Sequence, residues 1–400
     1  MEKATIRNLK DISGKRVFIR VDHNVPQDKE GRITDDTRIR ESLGTIQYCL
    51  DKGAKVILCT HLGRPKSKSD IQWSVAPVVE RLKQLLPQTD IILVRDCIGS
   101  EVEKALAKLQ DGQILYLENV RFYPEETAND PAFAAALAKL CDYYVNDAFG
   151  CAHRAHASTE GMARFVPAVA GFLMEKEIKI LGEAISKPKR PLTIIIGGKK
   201  TEEKIGVLDN VLKIADNILI GGGTAYTFVK AAGGEVANSI VNDSLLGYCQ
   251  QVVETAKNRK VNLLVGFDCV AGDKFGEDAN TRVFETAKIR EGWEGFDIGP
   301  KTIEAFKQVI AKSGTIIWCG PLGVNEFEIF LNGSREIGVA MAESGAITIA
   351  GGGDTAFTVA RLGLAERFTH LSTGGGASLE LLEGKVLPGV AALLDMDAII

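Results

Sequence analysis

Ile218-Leu219-Ile220-Gly221-Gly222-Gly223-Thr224-Ala225-Tyr226-Thr227-Phe228-Val229 and Thr348-Ile349-Ala350-Gly351-Gly352-Gly353-Asp354-Thr355-Ala356-Phe357-Thr358-Val359 share one pattern. Each is a short apolar run, then three glycines, then a stretch of helical composition. An apolar run without alternation suits a strand covered on both faces, and glycine permits the tight turn into the helix. Both segments therefore predict a parallel strand feeding a helix.

The same grammar extends across the chain. Strand-length runs recur at Val17-Phe18-Ile19, Val56-Ile57-Leu58, Ile91-Ile92-Leu93-Val94, Ile114-Leu115-Tyr116-Leu117 and Tyr143-Tyr144-Val145. They return at Ile194-Ile195-Ile196, Ile218-Leu219-Ile220, Leu263-Leu264-Val265, Ile316-Ile317-Trp318 and Ile347-Thr348-Ile349-Ala350. Intervening segments such as Pro77 to Leu86 have helical spacing. At 400 residues the chain exceeds the roughly 250–300 residues at which one core stops growing. The fold class predicted is α/β, with two doubly wound parallel-sheet (Rossmann-like) domains. The segment Gly171 to Ile185, followed by Lys187-Pro188-Lys189-Arg190-Pro191, reads as an amphipathic helix stopped by prolines. It is either a hinge helix between domains or a crossover helix within one.

Composition narrows the function. Lys and Arg number 48 against 52 Asp and Glu, a formal charge of −4, with 45% apolar and 25% charged residues. Residues 1–170 hold 24 basic and 23 acidic side chains, and 171–400 hold 24 and 29. Neither part has the basic excess that nucleic-acid binding needs. No run of ~18 apolar residues predicts a membrane span, and the start lacks a signal-peptide core. Eight cysteines without a C-x-x-C pair, several inside apolar runs, read as buried thiols. A cytoplasmic protein is expected.

Ligands of open parallel sheets bind beyond the carboxyl ends of strands. There the first half offers Arg20, Asp22, Asn24, His61, Arg64, Arg121, His153, Arg154 and His156, with Arg38 nearby. Guanidinium groups match carboxylates and phosphates through paired hydrogen bonds, so these residues suggest a pocket for a small, multiply anionic metabolite. The second half offers Gly197-Gly198, Gly221 to Gly223, Gly320, Gly351 to Gly353 and Gly374 to Gly376. Glycine turns at helix starts bring backbone N–H groups close to an anion, which predicts a phosphate cradle. Asp354 reads either as a ligand of a hard cation or as a helix N-cap. Lys200 and Lys204, four apart, either clasp an anion on one helical face or form a solvated basic turn.

Two phosphate motifs fail. Walker A needs Gly-Lys-[Ser/Thr], whereas Gly198 is followed by Lys199-Lys200-Thr201. The dinucleotide fingerprint Gly351-x-Gly353-x-x-Ala356 lacks an acid after the next strand, which counts against a nicotinamide dehydrogenase. No nucleophile elbow or metal-ligand spacing is present. An anion pocket, a phosphate cradle and no nucleophile fit direct phosphoryl transfer, which requires positioning and charge neutralisation. A hinged binding module without catalysis is the other class compatible with the pocket.

From about Arg20 to Leu393 the chain resembles the phosphoglycerate kinase family. The motifs are Arg20-Val21-Asp22-His23-Asn24-Val25-Pro26, His61-Leu62-Gly63-Arg64-Pro65, Glu118-Asn119-Val120-Arg121-Phe122, Ala152-His153-Arg154-Ala155-His156, Gly351-Gly352-Gly353-Asp354-Thr355-Ala356 and Ser372-Thr373-Gly374-Gly375-Gly376-Ala377-Ser378. The resemblance implies reversible transfer of the acyl phosphate of 1,3-bisphosphoglycerate to Mg-ADP, giving 3-phosphoglycerate and ATP, in a monomer that closes about a hinge. It implies a glycerate-binding domain at 1–170 with a tail, 390–400, returning to it, a connecting helix at 171–187 and a nucleotide domain at 188–389. Asp22, Asn24, Arg38, His61, Arg64, Arg121 and Arg154 would hold the glycerate. Lys200, Lys204, Gly295, Glu326, Gly352, Gly353, Asp354 and Thr355 would hold the nucleotide, with Asp354 on Mg²⁺. Arg38, Lys200 and Gly375 would serve the migrating phosphoryl group. Departures from the family pattern are His23 for Phe, Lys199 and Thr201 for Ala and Val, Cys319 for Asn and Asn325 for Phe. The stretch Leu263 to Asp273 also holds one residue more than usual and lacks an acid. Except for His23, these departures fall in the nucleotide half.

Overall fold

The computed structural model describes residues 2–397. The chain divides into two compact units, Met1–Lys179 with Val386–Ile400, and Ile180–Lys385. The first unit contains β1 (Arg16–Val21), α1 (Thr37–Asp51), β2 (Lys55–Cys59), α2 (Ala76–Leu85), β3 (Ile91–Leu93), α3 (Ser100–Lys108), β4 (Ile114–Tyr116), α4 (Pro124–Thr127), α5 (Pro131–Ala138), β5 (Tyr143–Asp147) and β6 (Ala168–Ala170). Its strands form one sheet in the order β3-β4-β2-β1-β5-β6, paired in parallel throughout. Val17, Phe18 and Ile19 of β1 are all inaccessible to solvent, so both faces of this strand are covered by helices.

One continuous helix, α6 (Phe172–Ser186), leaves the first unit, and the boundary falls inside it rather than at its ends. Its start is tied to β5, where Asp147 Oδ1 accepts from the N–H groups of Leu173 at 2.9 Å and Met174 at 3.1 Å. A carboxyl oxygen there serves donors that a helix start leaves without partners. The stretch assigned back to the first unit begins at Val386, slightly before the expected 390, and 398–400 lie outside the described residues. It runs along the amino-terminal segment, where Lys3 Nζ donates to Leu393 O at 2.8 Å.

The second unit contains β7 (Leu192–Ile196), α7 (Ile205–Ile214), β8 (Asn217–Ile220), α8 (Gly222–Ala231), α9 (Leu246–Arg259), β9 (Asn262–Val265), β10 (Asp268–Gly272), β11 (Thr281–Glu285), β12 (Glu294–Ile298), α10 (Pro300–Ile310), β13 (Thr315–Cys319), α11 (Asn332–Glu343), β14 (Ile347–Gly351), α12 (Gly353–Arg361), β15 (His370–Leu371) and α13 (Gly376–Leu382). A short α14 (Pro388–Ala391) lies in the returning segment. The main sheet runs β15-β14-β13-β7-β8-β9, all parallel. Strand order reverses at β7 and β13, the switch point at which ligands of doubly wound sheets bind. Trp318 of β13 is fully buried in the core with Phe306, Ile316, Ile337 and Met341.

The expected parallel strands are present. The three-stranded antiparallel sheet β11-β10-β12 was not foreseen. β11 reads Thr281-Arg282-Val283-Phe284-Glu285 and is mostly exposed, while β10 carries the short run Cys269-Val270-Ala271, which the reading of the sequence passes over. β12 is buried along most of its length yet carries Glu294, Gly295 and Asp297, so a search for uninterrupted apolar runs passes over it.

Asp297 of β12 is buried and accepts from the N–H groups of Gly333 at 2.7 Å and Ile298 at 2.8 Å. Burial pushes its carboxyl up to about 8. A folded-state pKa above the unfolded one gives stability that is fully present below the unfolded value and lost as pH rises through the folded one. Asp297→Asn keeps an acceptor and removes the charge. Urea unfolding from pH 4 to 9 is therefore expected to show wild-type stability falling from about pH 4 to about pH 8, with a flatter profile over that window in the variant.

Candidate functional site

In the first unit, the carboxyl ends of β1, β2, β4 and β5 bring a set of polar groups together. Asp22 and Asn24 follow β1, His61 follows β2, Arg121 lies in the 3-10 turn Val120–Phe122 after β4, and Arg154 lies beyond β5. Arg38 is the second residue of α1 and donates to Asp22 Oδ2 at 2.9 Å and to Asn24 O at 3.3 Å. Asn24 Oδ1 accepts from Gly63 N at 2.9 Å, and Arg121 Nη1 donates to Gly63 O at 2.8 Å. Gly63 has φ +58°, and a Cβ there would lie 2.1 Å from the Trp73 ring, so the loop requires glycine.

His61 is the centre of this set. It is buried, and its pKa is pushed well down, first by burial and then by the charges of Arg20, Arg121, Arg38 and Arg154. Four guanidinium groups thus act on one neutral imidazole. Arg20 Nη2 lies 3.1 Å from His61 Nδ1. A guanidinium can only donate, so Nδ1 must be the acceptor and Nε2 carries the proton. His61 is a neutral donor across the working pH range. Asp22 Oδ1 is buried without a hydrogen-bond partner among the described residues. The pocket therefore offers donors for an anion and one unused acceptor beside them.

The sequence placed Arg20 among the pocket residues; the structure places it beneath them, 1% exposed. Arg20 Nε donates to Ser158 Oγ at 2.9 Å, and Ser158 Oγ donates to Glu126 Oε1 at 2.6 Å. Glu126 is fully buried and its Oε1 is 3.8 Å from His156 Nδ1, so His156 has an acidic neighbour that sequence spacing did not reveal. Asn119 also supports the pocket, accepting from Arg121 N at 3.1 Å and donating to Leu62 O at 2.7 Å. Its place in Glu118-Asn119-Val120-Arg121 was the available signal. Arg64 and Arg154 are exposed, and Arg64 makes no hydrogen bond or ion pair among the described residues.

The glycines of the second unit separate into two kinds. A Cβ on Gly197 would lie 2.3 Å from Pro321 O, one on Gly320 2.4 Å from Gly197 O, and one on Gly222 2.8 Å from Pro321 O. These residues are small because backbone packs on backbone, which is a separate reason for glycine from the approach of an anion. Gly353 and Gly375, by contrast, have nothing within 4 Å of a Cβ position, and Gly352 has only Thr355 Oγ1 at 4.0 Å. Gly352 (φ +97°) precedes α12 and Gly375 (φ +53°) precedes α13. Gly198 is likewise uncrowded, with only Gly320 Cα at 3.8 Å.

Asp354 is the second residue of α12. The cap position belongs to Gly352, so the N-cap reading of Asp354 does not hold. Its exposed carboxylate makes no hydrogen bond or ion pair among the described residues. The Thr355 hydroxyl is buried, accepting from Gly320 N at 2.7 Å and donating to Gly351 O at 3.1 Å, so the side chain is fully engaged within the protein. Lys200 and Lys204 do not share a helical face, because the turn Thr201–Lys204 between them is a 3-10 helix. Lys204 is buried, and its charge partly offsets the burial that raises the Cys319 thiol to about 11. Lys200 is exposed and pairs with Glu203 at 2.5 Å. Gly295 is buried, with the Tyr226 hydroxyl 2.1 Å from a Cβ position, and Glu326 is exposed. Asn325, one of the departures, donates to Thr358 Oγ1 at 2.9 Å and so ties its loop to α12. All eight cysteines are buried and free.

One α/β unit with an arginine-rich pocket and another with amides open at helix starts after a parallel sheet define a phosphotransferase class. A family model described as phosphoglycerate kinase matches residues 6–385. Phosphoglycerate kinase of Chloroflexus aggregans is 53% identical over 401 residues, spanning 99% of this chain and 100% of its own length. That of Dictyoglomus turgidum is 52% identical over 398 residues, with the same coverage. The solved structure of phosphoglycerate kinase from Coxiella burnetii superposes with a TM-score of 0.87 at 38% identity, and that from Pyrococcus horikoshii with 0.84 at 32%, each covering 98% of both chains. The chain belongs to the phosphoglycerate kinase family and is a kinase.

The two kinds of glycine predict opposite outcomes for one methyl group. Gly197→Ala should destabilise the second unit by about 1–3 kcal/mol through overpacking. Gly353→Ala, at a helix start with free space, should leave stability unchanged or raised by up to ~1 kcal/mol while increasing the KM for ATP. Thermal unfolding and steady-state kinetics on both variants check this.

Proposed function

We propose that the first unit binds 3-phosphoglycerate and 1,3-bisphosphoglycerate, that the second binds ADP and ATP, and that the acyl phosphate passes directly between them. The observation that carries this reading is the gathering of four guanidinium groups on a neutral His61 beside the unpartnered Asp22 Oδ1. Arginines and His61 Nε2–H suit the carboxylate and phosphate of a phosphoglycerate, and Asp22 Oδ1 suits its hydroxyl as donor. Asn24, Arg64, Arg121 and Arg154 complete that site.

In the second unit, the amides of Gly352, Gly353 and Thr355 and the Lys204 ammonium would receive the nucleotide phosphates, with Gly295 and Glu326 on the adenosine side. A single exposed, unengaged carboxylate at Asp354 fits Mg²⁺, which takes one or two carboxylates together with phosphate oxygens. Bound there, Mg²⁺ would neutralise phosphate charge. Lys200 is held only by a surface ion pair, which costs little to break, so it is available to the migrating group. Arg38, Lys200 and the amides around Gly375 would stabilise the charge on that group in flight, the largest contribution expected of a site without a nucleophile. Transfer in line with water excluded requires the two ligands to be brought together by closure. The reading further places the protein in the cytoplasm, as a monomer that binds neither nucleic acid nor membrane. No described helix is long and apolar enough to cross a bilayer.

Arg38→Ala is expected to lower kcat by ~10²–10³ with the affinity for ADP nearly unchanged; stopped-flow turnover equal to wild type would remove Arg38 from the mechanism. Lys200→Ala should lose activity comparably in both directions, because one transition state serves both. Asp354→Ala should raise the Mg²⁺ concentration needed for half-maximal rate, measured in a coupled assay with 3-phosphoglycerate and ATP.

A further inference from the structure

His23 stands between two pocket residues, Asp22 and Asn24. Its ring points the other way and is fully buried. Nδ1 lies 2.8 Å from Tyr116 Oη at the end of β4, and Nε2 lies 2.8 Å from Ser42 Oγ on α1. Ser42 is four residues beyond Arg38, one turn along the same helix. The Ser42 hydroxyl donates to Ile39 O at 2.8 Å. Its single proton is thereby engaged, so towards His23 it can only accept. His23 must then carry its proton on Nε2, and Nδ1 must accept from the Tyr116 hydroxyl. Only one polarity satisfies every group: Tyr116 donates to His23, His23 to Ser42, and Ser42 to Ile39. Burial first, and the Arg20 charge second, push His23 down to about 3, so the ring stays neutral and the direction is fixed. The His23 backbone is also held, its N–H donating to Thr60 Oγ1 at 2.9 Å, while Thr60 Oγ1 donates to His61 O at 3.1 Å.

We propose that the chain Tyr116–His23–Ser42 is a positioning device for Arg38, fastening the first turns of α1 to the sheet and to the Asp22–Asn24 loop so that the guanidinium is presented to the substrate. A phenylalanine ring would fill the same space by packing, with no direction and no link to α1. In this chain the fastening is hydrogen-bonded, and its partners Tyr116 and Ser42 are polar to match. His23 touches no ligand; it acts through Arg38. The proposal rests on the assignment of Arg38 to the phosphoglycerate site, and the experiment separates the two.

The test is a double-mutant cycle on the full-length protein, reading the Kd of 3-phosphoglycerate by isothermal titration calorimetry in the wild type, His23→Phe, Arg38→Ala and the double variant. If His23 acts through Arg38, His23→Phe raises Kd about fivefold when Arg38 is present and less than about twofold when it is absent, a coupling of the size seen for residues in one network. The Kd of ADP stays unchanged in all four proteins. The same fold-change in both backgrounds, or none in either, overturns the positioning role and leaves Arg38 as a substrate ligand. An unchanged Kd in Arg38→Ala overturns the underlying assignment instead. If His23→Phe does not fold, Ser42→Ala, which removes the acceptor on α1, goes through the same cycle under the same criterion.

Discussion

Like charges do not gather at the end of a sheet unless something beneath holds them. Around His61, burial first and then the charges of four guanidinium groups hold the imidazole neutral. The counterweight is buried: Arg20 binds Ser158, Ser158 binds Glu126, and these groups are sealed from solvent. A fully buried carboxylate is costly alone and tolerable beside a cation with its oxygens hydrogen-bonded. The arrangement keeps positive potential at the pocket floor before any ligand arrives, so an anionic substrate meets a field that needs no reorganisation.

The same economy of means governs the second unit, with backbone in place of side chains. Residues Gly197, Gly222 and Gly320 allow strand ends at the switch point to pack main chain on main chain, which draws the starts of the neighbouring helices into line. Gly352, Gly353 and Gly375 then leave amides uncovered where α12 and α13 begin. Two residues placed there carry charge on different terms. Lys204 is buried and fixed, whereas Lys200 is exposed and only loosely held by Glu203. A fixed cation suits a bound phosphate, and a movable one suits a group in transit.

Much of this was legible in the residues, for identifiable reasons. Parallel strands such as β1 and β7 are apolar throughout because both faces are covered, so the runs announced themselves. The antiparallel strands β11 and β12 did not, since charged residues and a glycine interrupt them. Asp22, His61, Arg38 and Arg121 were legible as strand-end polar groups near one another in topology. The support under them was not: Arg20 and Ser158 lie 138 positions apart, and Glu126 is separated from both. Spacing along the chain carries no trace of such pairs. Glycine was the least informative residue, because a turn that admits a phosphate and a turn that admits another backbone look alike in one dimension.

Sequence by itself determined the α/β class, the two parallel sheets, the family and the inventory of charged groups, because periodicity and motif are properties of order along the chain. Tertiary structure alone decided which glycines are open, that Asp354 is not a cap, that Lys200 and Lys204 part company, and that His23 joins Tyr116 to Ser42. Each of those depends on what lies across space from a residue, and a hydrogen bond or a steric contact exists only once two distant segments are brought within a few ångströms.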